Sequence, residues 1–348
     1  MRALVLGGSV FVGRRLVEAL AAGGHDVSVL NRGRTETDLP AGVRRIVADR
    51  TDSDSMRSAL AGTTWDAVYD VSGFVMAAGG SDIEGLLDLL DGSVGHYVYV
   101  SSIMAYDQSL VGIVPWTEDL PTEAASPNAS AQTYGGFKAA AEAAILSRHR
   151  DNRFPASVVR PAAIYGPANN IYDMETPMFL RLRQRRPILL PHSGLVTVSY
   201  GHVDDLCTMM IRMTGATAAY GDVFNATAEA VTTCRYVETL ASIVGCEPDI
   251  VPVPDAALST LPPRIFGHLF SDRHHAVLSI DKARRLLGFE PSRDFRRGHE
   301  ETYEWFLAQG WGDLDEALAD PVWKASWDFD AEASAAAMLH GRWDGRSG

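Results

Sequence analysis

The first thirteen residues, MRALVLGGSVFVG, constrain the fold of this chain more than any other segment. The apolar run Leu4–Leu6 predicts a strand, and Phe11–Ala22 has the apolar spacing of a helix. Between them, Gly7 and Gly8 predict a tight turn, because glycine adopts backbone angles that a Cβ forbids. Gly13 would let the helix lie close to the strand. The helix N-terminus points N–H groups and a positive dipole at the turn, which predicts a phosphate site.

Strand and helix patterns alternate through the first half of the chain. After Leu4–Leu6, the predicted strands are Val27–Leu30, Arg45–Ala48, Trp65–Asp70, Tyr97–Ser101 and Ala156–Arg160, with Gly221–Asn225 as a late strand that rejoins the sheet. The predicted helices between them are Phe11–Ala22, Asp54–Leu60, Ile83–Leu90 and Ala131–Ser147. This order predicts an α/β fold of the Rossmann type, a doubly wound parallel sheet with helices on both faces. The phosphate site then predicts a dinucleotide cofactor.

After Pro161 the alternation breaks, which predicts a second, smaller domain. Further helices are predicted at Met178–Arg186, Thr233–Val244 and Ile280–Leu287. We expect residues 1–166 with about 200–228 to form the dinucleotide-binding domain. Residues 167–199 and 229–310 are expected to form a C-terminal α/β substrate domain, and the tryptophan-rich stretch 311–348 a packed helical appendage.

Charge and cysteine usage exclude several classes of function. The formal net charge of −13 disfavours a primary role in nucleic-acid binding, because contacts to phosphates need cations. The three cysteines are scattered, with no spacing typical of a metal site or a disulfide framework, so no metal and a reducing cytoplasm are expected. No apolar run is long enough to span a bilayer and no signal peptide is recognisable, so no membrane association is expected.

Tyr134 and Lys138 are the candidates for proton transfer. They lie four residues apart in a predicted helix and therefore share one face. A neighbouring ammonium group stabilises tyrosinate, so Lys138 is expected to lower the pKa of Tyr134 and could also bind the nicotinamide ribose. Gly135 and Gly136 follow Tyr134, and they allow either a close approach of cofactor or substrate, or a helix that begins later.

Two further pairs of residues lie where predicted strands end. Ser101 and Ser102 end the fifth strand, at the sheet edge where ligands bind in such folds, and one of them could hold a substrate oxygen. Asp49 and Arg50 end the third strand and could bind and stack on adenine.

The residues after the second strand bear on the type of cofactor. An acidic residue there would bind the ribose 2′-hydroxyl of NAD, whereas this chain has Asn31, Arg32 and Arg34. A guanidinium group suits the 2′-phosphate of NADP, so NADP(H) is favoured and NAD(H) is the alternative.

Together these residues resemble the extended, atypical short-chain dehydrogenase/reductase superfamily, of the NAD-dependent epimerase/dehydratase type. The resemblance runs from residue 2 to about residue 308. Its pieces are the glycine turn, Asp49, YVSSIMAY at 99–106, Tyr134 with Lys138, RPAAIYGP at 160–167, HVDD at 202–205, Asn225, IDKAR at 280–284 and ETYEW at 301–305. It implies Ser102, Tyr134 and Lys138 as the catalytic set; Ser102 is preferred to Ser101 because it lies four residues before Tyr106. It also implies pairing into a homodimer through Rossmann helices.

The predicted contacts follow from the same motifs. Cofactor contacts are predicted at Gly7, Ser9, Val10, Phe11, Val12, Gly13, Asn31, Arg32, Arg34, Asp49, Arg50, Val71, Ser72, Tyr134, Lys138, Pro161 and Ile164. Substrate contacts are predicted at Ser102, Ile103, Tyr134, Asn169 and Arg183. Arg181, Arg183 and Arg185 could meet a diphosphate or could form a solvated basic helix face.

Two departures from the family pattern matter. Val10 stands where the family has the middle glycine of its turn. With this departure the chain resembles an atypical branch of the superfamily, which includes chloroplast stem-loop RNA-binding proteins and bacterial reductases. Ile103-Met104 stand where dehydratases of the superfamily carry Asp-Glu, which argues against dehydration.

The sequence therefore predicts hydride transfer between NADP(H), or NAD(H), and a secondary alcohol or ketone of a sugar or nucleotide sugar. Net reduction and epimerisation both stay open. The alternative is a non-catalytic protein of the same fold that senses cofactor or binds RNA.

Overall fold

The structure is a computed structural model, and it describes residues 1–34, 38–71, 80–107, 109, 113–125, 133–169, 174–262, 265, 274–311 and 328–344. The Cα positions divide the chain into two compact units. The first unit consists of Met1–Ile164, Gly201–Thr227 and Leu278–Ser292, and the second of Tyr165–Tyr200, Ala228–Val277 and Arg293–Gly348.

The first unit is built on a seven-stranded parallel sheet. Its strands are β1 (Arg2–Leu6), β2 (Asp26–Asn31), β3 (Arg44–Val47), β4 (Ala67–Asp70), β5 (Tyr97–Val100), β6 (Ala156–Pro161) and β10 (Val223–Ala226), and a short β7 (Ala163–Tyr165) follows β6. The spatial order β3-β2-β1-β4-β5-β6-β10 changes direction between β1 and β4. Such a switch point opens a crevice at the carboxyl ends of the strands. The predicted Rossmann fold is confirmed.

Helices cover both faces of this sheet. They are α1 (Phe11–Ala22), α2 (Ser53–Leu60), α3 (Gly80–Leu90), α4 (Tyr134–Asn152), α6 (Val203–Met213) and α9 (Asp281–Leu287). Alternate residues of β1 point to opposite faces: Ala3 and Val5 pack with the apolar side chains of α1 and α6, whereas Leu4 and Leu6 pack with those of α2, α3 and α4. Because both faces are covered, the central strands read as continuous apolar runs.

The second unit combines short strands with helices. Its strands β8 (Ile188–Pro191) and β12 (Ile250–Val253) pair in parallel, and β9 (Thr197–His202) pairs antiparallel with β11 (Glu229–Thr232). Its helices are α5 (Glu175–Arg183), α7 (Thr233–Val244), α8 (Asp255–Leu258), α10 (Phe295–Ala308) and α11 (Phe329–Asp344).

Two of the predicted domain assignments differ from this partition. Residues 278–292, which were assigned to the substrate domain, belong to the first unit: Ala283 and Phe289 enter its core, and Ser292 donates two hydrogen bonds to Asp205. Helix α11, predicted as part of an appendage, packs within the second unit. Its Leu339 lies in one apolar cluster with residues of β8 and β12 such as Leu189.

Several predicted helix boundaries move by a few residues. Helix α4 begins at Tyr134 rather than at Ala131, because the hydroxyl of Thr133 caps it by accepting a hydrogen bond from Gly136 N (3.0 Å). Helix α5 spans Glu175–Arg183, whereas Met178–Arg186 was expected. Among the described residues, none of the helices combines the length and the apolar character that crossing a bilayer requires.

Candidate active site

The glycine turn joins β1 to α1 as the sequence predicts. Gly7 has φ +94°, which lies in the left-handed region that glycine favours. A Cβ on Gly13 would lie 2.2 Å from the carbonyl oxygen of Gly7 and 2.9 Å from a methyl group of Val71, so only glycine fits this close approach of helix and strands. Phe11 is buried at φ +35°, a conformation that L residues rarely adopt.

The backbone conformation at Val10 does not require the glycine that the family has at this position of the turn. The residue is the N-cap of α1, its backbone is extended (φ −138°, ψ 155°), and its side chain is 43% exposed. These backbone angles suit a β-branched residue, so no glycine is needed here. Within the described turn, the Val10 side chain caps none of the first N–H groups of α1, and the first turn of α1 carries no acidic residue. The turn therefore fits an anionic pyrophosphate.

The ends of β2 and β3 carry the residues predicted to select the cofactor. Asn31 donates from its amide to the Ser9 hydroxyl (2.8 Å), which ties β2 to the glycine turn. Arg32 and Arg34 are exposed. The pKa of Asp49 is lowered, mainly by hydrogen bonds from the backbone N–H and hydroxyl of Thr51, and further by the positive charges of Arg32 and Arg34. The cations of Arg32 and Arg34 and the carboxylate of Asp49 thus lie together where β2 and β3 end.

Arg50, predicted to stack on adenine, is instead paired with a buried carboxylate. Its guanidinium group forms a two-pronged ion pair with Asp70 at the end of β4 (2.5 and 2.7 Å), and the Tyr97 hydroxyl donates to the same carboxylate (2.7 Å). The side chain of Asp70 is fully buried and that of Arg50 is 12% exposed. The guanidinium predicted to stack on adenine is therefore held inside the fold as the counter-ion of Asp70.

The three predicted catalytic residues meet beside the carboxyl end of β5. Ser102 follows β5, its hydroxyl accepts a hydrogen bond from Met104 N (3.1 Å), and it lies close enough to the Tyr134 phenol to lower the pKa of that phenol. Tyr134 is the first residue of α4 and is 39% exposed. One turn along, Lys138 is buried and donates from Nζ to the carbonyl oxygen of Val100 (2.6 Å). A substrate oxygen could therefore reach both the phenol and the serine hydroxyl.

The electrostatics of this trio differ from the expectation. Burial raises the pKa of the Tyr134 phenol, and the hydrogen bond with Ser102 offsets only part of this effect. Burial also lowers the pKa of Lys138 to about 8. The Lys138 Nζ lies 5.8 Å from the Tyr134 ring centroid. The pKa of the Tyr134 phenol therefore lies above its ordinary value, opposite in direction to the predicted lowering, because burial has the largest effect on it.

Ser101, the neighbour of Ser102, has a structural role that the sequence did not reveal. Its hydroxyl donates to Glu142, whose carboxylate also receives the guanidinium of Arg160 (2.6 to 3.1 Å). Glu142 and Arg160 are both at most 3% exposed. Glu142 lies four residues after Lys138, so the helical spacing that singled out Lys138 could have found it.

Gly135 lies where α4 touches the short 3-10 helix Ile103–Ala105. A Cβ on Gly135 would lie 2.2 Å from the carbonyl oxygen of Met104. The glycine is therefore required by the packing of the chain on itself, and the predicted approach of cofactor or substrate is not needed to explain it.

Gly135→Ala is expected to lower both stability and turnover, because the added methyl group must push α4 away from Met104 and so displace Tyr134 from Ser102. Gly85→Ala in α3 is the matched control, since among the described atoms nothing lies within 4 Å of its added Cβ. That control should raise the free energy of unfolding by up to about 1 kcal/mol. Thermal unfolding and steady-state kinetics of both variants check this; equal behaviour would contradict it.

The remaining predicted contacts are distributed over both units. In the first unit, Val71 follows β4, Pro161 ends β6, Ile164 lies in β7 and Ile103 packs against Tyr106 and Trp116. Ser72 lies outside the described residues. In the second unit, the amide of Asn169 is buried and donates to both carboxylate oxygens of Glu175 (2.9 and 3.0 Å). The amide nitrogen is therefore engaged within the protein, and the predicted substrate contact of Asn169 stays a prediction.

The arginines of α5 do not form one solvated face. Arg181 is fully buried, and its Nε donates to Glu332 of α11 (2.7 Å), so its assignment to a diphosphate or to solvent is wrong. Arg183 donates to the hydroxyl of Tyr303 (3.0 Å) at an exposed position, so its guanidinium group stays accessible.

Comparison with known proteins defines the class. The model of the NAD dependent epimerase/dehydratase family matches residues 3–226, so the chain belongs to this family, as its motifs predict. It is 28% identical over 322 residues to the chloroplast stem-loop binding protein of 41 kDa b of Arabidopsis thaliana, an alignment that covers 88% of this chain and 79% of that protein. It is 26% identical over 339 residues to UDP-glucose 4-epimerase of Mycolicibacterium smegmatis, covering 88% and 98%.

The solved structures show the same fold. The crystal structure of UDP-glucose 4-epimerase from Thermotoga maritima, with UDP-glucose, matches 89% of this chain and 99% of its own, with a TM-score of 0.73 and 20% identity. At this identity the likeness concerns the fold alone. Family membership supports a nicotinamide dinucleotide as the cofactor.

Proposed function

We propose that this chain is an NAD(P)-dependent oxidoreductase that transfers a hydride between NADP(H), or NAD(H), and a secondary alcohol or ketone of a sugar or nucleotide sugar. The observation that carries this proposal is that Ser102, just after β5, and Tyr134, the first residue of α4, meet beside the carboxyl end of β5, with Lys138 one helical turn further along α4. Hydroxyl, phenol and ammonium groups in this order suit proton transfer at a substrate oxygen.

Each residue has one role in the proposal. Tyr134 gives a proton to the carbonyl oxygen during reduction and takes it back during oxidation, while the Ser102 hydroxyl orients that oxygen. A phenol is protonated at neutral pH, which is the form that reduction requires, and burial raises the pKa of Tyr134 further in the same direction. Lys138 supplies the neighbouring cation and could bind the ribose. The nicotinamide, when bound, supplies or accepts the hydride.

The glycine turn and the residues that follow β2 and β3 would hold this cofactor. The uncapped first turn of α1 would receive the pyrophosphate, and Gly13 keeps that turn close to the strand ends. Asp49 would face the adenosine. We also propose that the second unit supplies substrate contacts, with the accessible guanidinium group of Arg183 as one candidate.

The sugar substrate is supported by a relative that aligns over nearly its whole length, the mycobacterial UDP-glucose 4-epimerase. The hydride step is common to reduction and epimerisation. Dehydration is not proposed, because Ile103-Met104 replace the Asp-Glu pair of dehydratases.

Two assays test this proposal. Loss of NADPH absorbance in proportion to product, with a panel of keto sugars and their nucleotide derivatives, would support a reductase. Interconversion of sugar epimers without added cofactor would support an epimerase. Cofactor that binds but never exchanges hydride with any member of the panel would contradict both.

Arg32 is expected to favour NADPH over NADH. Arg32→Ala should raise the KM for NADPH about ten- to hundredfold, because a hydrogen bond to a charged group contributes about 1.5–3 kcal/mol, and should leave the KM for NADH unchanged. Arg57→Ala removes another exposed arginine, paired with Asp54 on α2, and serves as the control. If Arg32→Ala raised both KM values alike, the assignment to the 2′-phosphate would fail.

A second function has one specific observation in its favour. The Arabidopsis relative is named a stem-loop binding protein and aligns with 88% of this chain. The net charge of −13 and the intact trio of Ser102, Tyr134 and Lys138 oppose an RNA-binding or purely cofactor-sensing role. A filter-binding titration with a structured RNA at moderate salt would decide: retention in the micromolar range would support the second function.

A further inference from the structure

A buried ion pair that the proposed chemistry does not use acts electrostatically on Lys138. The pair consists of Arg50, from the loop after β3, and Asp70, the last residue of β4. The Asp70 carboxylate is fully buried and holds three hydrogen bonds, two from the guanidinium group and one from Tyr97. Burying such a pair is costly for stability, so its presence beside a catalytic candidate calls for an explanation.

The geometry connects this pair to Lys138. Asp70 and Tyr99 are register partners on the adjacent parallel strands β4 and β5, and Tyr97 is two residues before Tyr99, so all three side chains share one face of the sheet. Lys138 reaches this face from α4, where its Nζ lies 4.9 Å from the centroid of the Tyr99 ring. The ammonium group is therefore next to the ring that flanks the buried carboxylate.

We propose that the Arg50–Asp70 pair controls the charge of Lys138, with Asp70 favouring the ammonium form and Arg50 limiting that effect. The Tyr97 hydrogen bond helps to fix the carboxylate in place. Asp70, Arg50 and Tyr97 are thus positioning residues that act through Lys138. The consequence for catalysis rests on the proposed function, whereas the electrostatic coupling does not.

The charged groups around Lys138 support this assignment. Burial lowers the pKa of Lys138 to about 8, Asp70 and Glu142 raise it, and Arg50 lowers it. Glu142 is already paired with Arg160, and its carboxylate also receives the Ser101 hydroxyl. Burial raises the pKa of each of the tyrosines facing this region, Tyr97, Tyr99 and Tyr134, so they are neutral at physiological pH. Asp70 and Arg50 are therefore the two charged groups that can shift the pKa of Lys138 in opposite directions.

A pKa near 8 makes Lys138 sensitive to such a neighbour. At that value a modest change in local charge shifts the lysine between mostly charged and mostly neutral close to physiological pH. Removing the Asp70 charge should lower the pKa, whereas removing the Arg50 charge should raise it. A pair without electrostatic coupling to Lys138 would give no shift in either variant.

The sequence makes this measurable, because the whole chain has three lysines, Lys138, Lys282 and Lys324. The full-length protein, labelled with ¹³C and ¹⁵N at lysine, gives three side-chain signals whose shifts can be followed against pH. The Lys138 signal is the one missing from Lys138→Arg. Asp70→Asn is expected to shift its titration to lower pH by on the order of one unit, and Arg50→Gln to shift it to higher pH. Asp204→Asn, which breaks the Arg15 pair between α1 and α6, should leave it unchanged.

Shifts of the same sign in Asp70→Asn and Arg50→Gln, or no shift in either, would overturn the proposal. If both variants fail to fold, Tyr97→Phe keeps every charge and removes one donor from Asp70, and it should raise the pKa of Lys138 by about a few tenths of a unit. A fall or no change would overturn the proposal as well.

The titration needs no substrate, so the two proposals can fail separately. Opposite shifts in a protein without hydride transfer would keep this inference and remove the proposed function. Hydride transfer by a protein whose Lys138 pKa stays the same in the variants would keep the proposed function and remove this inference.

Discussion

Tyr134→Phe is expected to lower kcat by about 10²–10⁴-fold, the range typical of lost general acid–base catalysis, while the affinity for NADPH stays unchanged. The phenol is the group that exchanges the proton with the substrate oxygen in the proposed reaction. Its ring lies at the first position of α4, beside Ser102, and phenylalanine preserves the ring and the helix. The loss should therefore appear in turnover and not in cofactor binding.

Steady-state kinetics with whichever member of the keto-sugar panel is turned over, together with a fluorescence titration of NADPH, measure the two quantities. Tyr220→Phe is a suitable control, because its hydroxyl makes one long hydrogen bond to the Gly95 carbonyl (3.4 Å), far from any proposed role. Native turnover in Tyr134→Phe would remove the phenol from the mechanism, whatever the fate of the rest of the site.

Glu142→Ala is expected to reduce the free energy of unfolding by about 3–5 kcal/mol, because it leaves the buried guanidinium group of Arg160 without its carboxylate. Three further features make the loss severe: the Ser101 hydroxyl loses its acceptor, the site is closed to water, and Arg160 also lies 4.4 Å from the Tyr106 ring and so cannot move easily. The result should be a much lower denaturant midpoint.

Glu300→Ala is the matched control for this prediction. Its carboxylate pairs with Arg296 four residues before it on α10, at about half exposure, where an ion pair contributes about 0.5 kcal/mol or less. Replacing both partners, as in Glu142→Leu with Arg160→Met, should recover much of the stability, since no unpaired charge then remains. A Glu142→Ala variant that unfolds like Glu300→Ala would show that water reaches this pair.

Much of the first unit could be predicted because its signals are local. Apolar periodicity, the glycine turn and the alternation of strands and helices each depend on neighbours in sequence, and they were sufficient for the sheet and for α1 to α4. The spacing of Tyr134 and Lys138 is equally local, since residues four apart share a helix face. The ends of parallel strands lie at one edge of the sheet, which directed attention to Ser101 and Ser102, and the resemblance to the family selected Ser102. The structure places Ser102 near Tyr134, and its catalytic role stays a prediction.

The errors share a physical cause. Arg50 was assigned to adenine and Arg181 to solvent or a diphosphate, yet each is held by a carboxylate that lies 20 and 151 positions away in the chain, respectively. Asn169 was predicted to contact substrate, yet its amide donates to Glu175, the first residue of α5, six positions away in the chain. A polar side chain shows its chemistry in the sequence but not its partner.

The pKa of Tyr134 was predicted in the wrong direction for a related reason. The sequence shows the cation of Lys138 but not how far the surrounding elements exclude water from the Tyr134 phenol and from Lys138, and desolvation depends on that exclusion.

The sequence by itself thus determined the class of fold, the family and the identities of the residues that meet beside β5, because these depend on periodicity, spacing and motif. Only the tertiary structure decided which charges are free and which are paired. In the fold, Asp70 is buried in a pair with Arg50 and Glu142 in a pair with Arg160, and Lys138 is buried as well. The reason is that pairing and desolvation arise from distances across the fold, which no local pattern encodes.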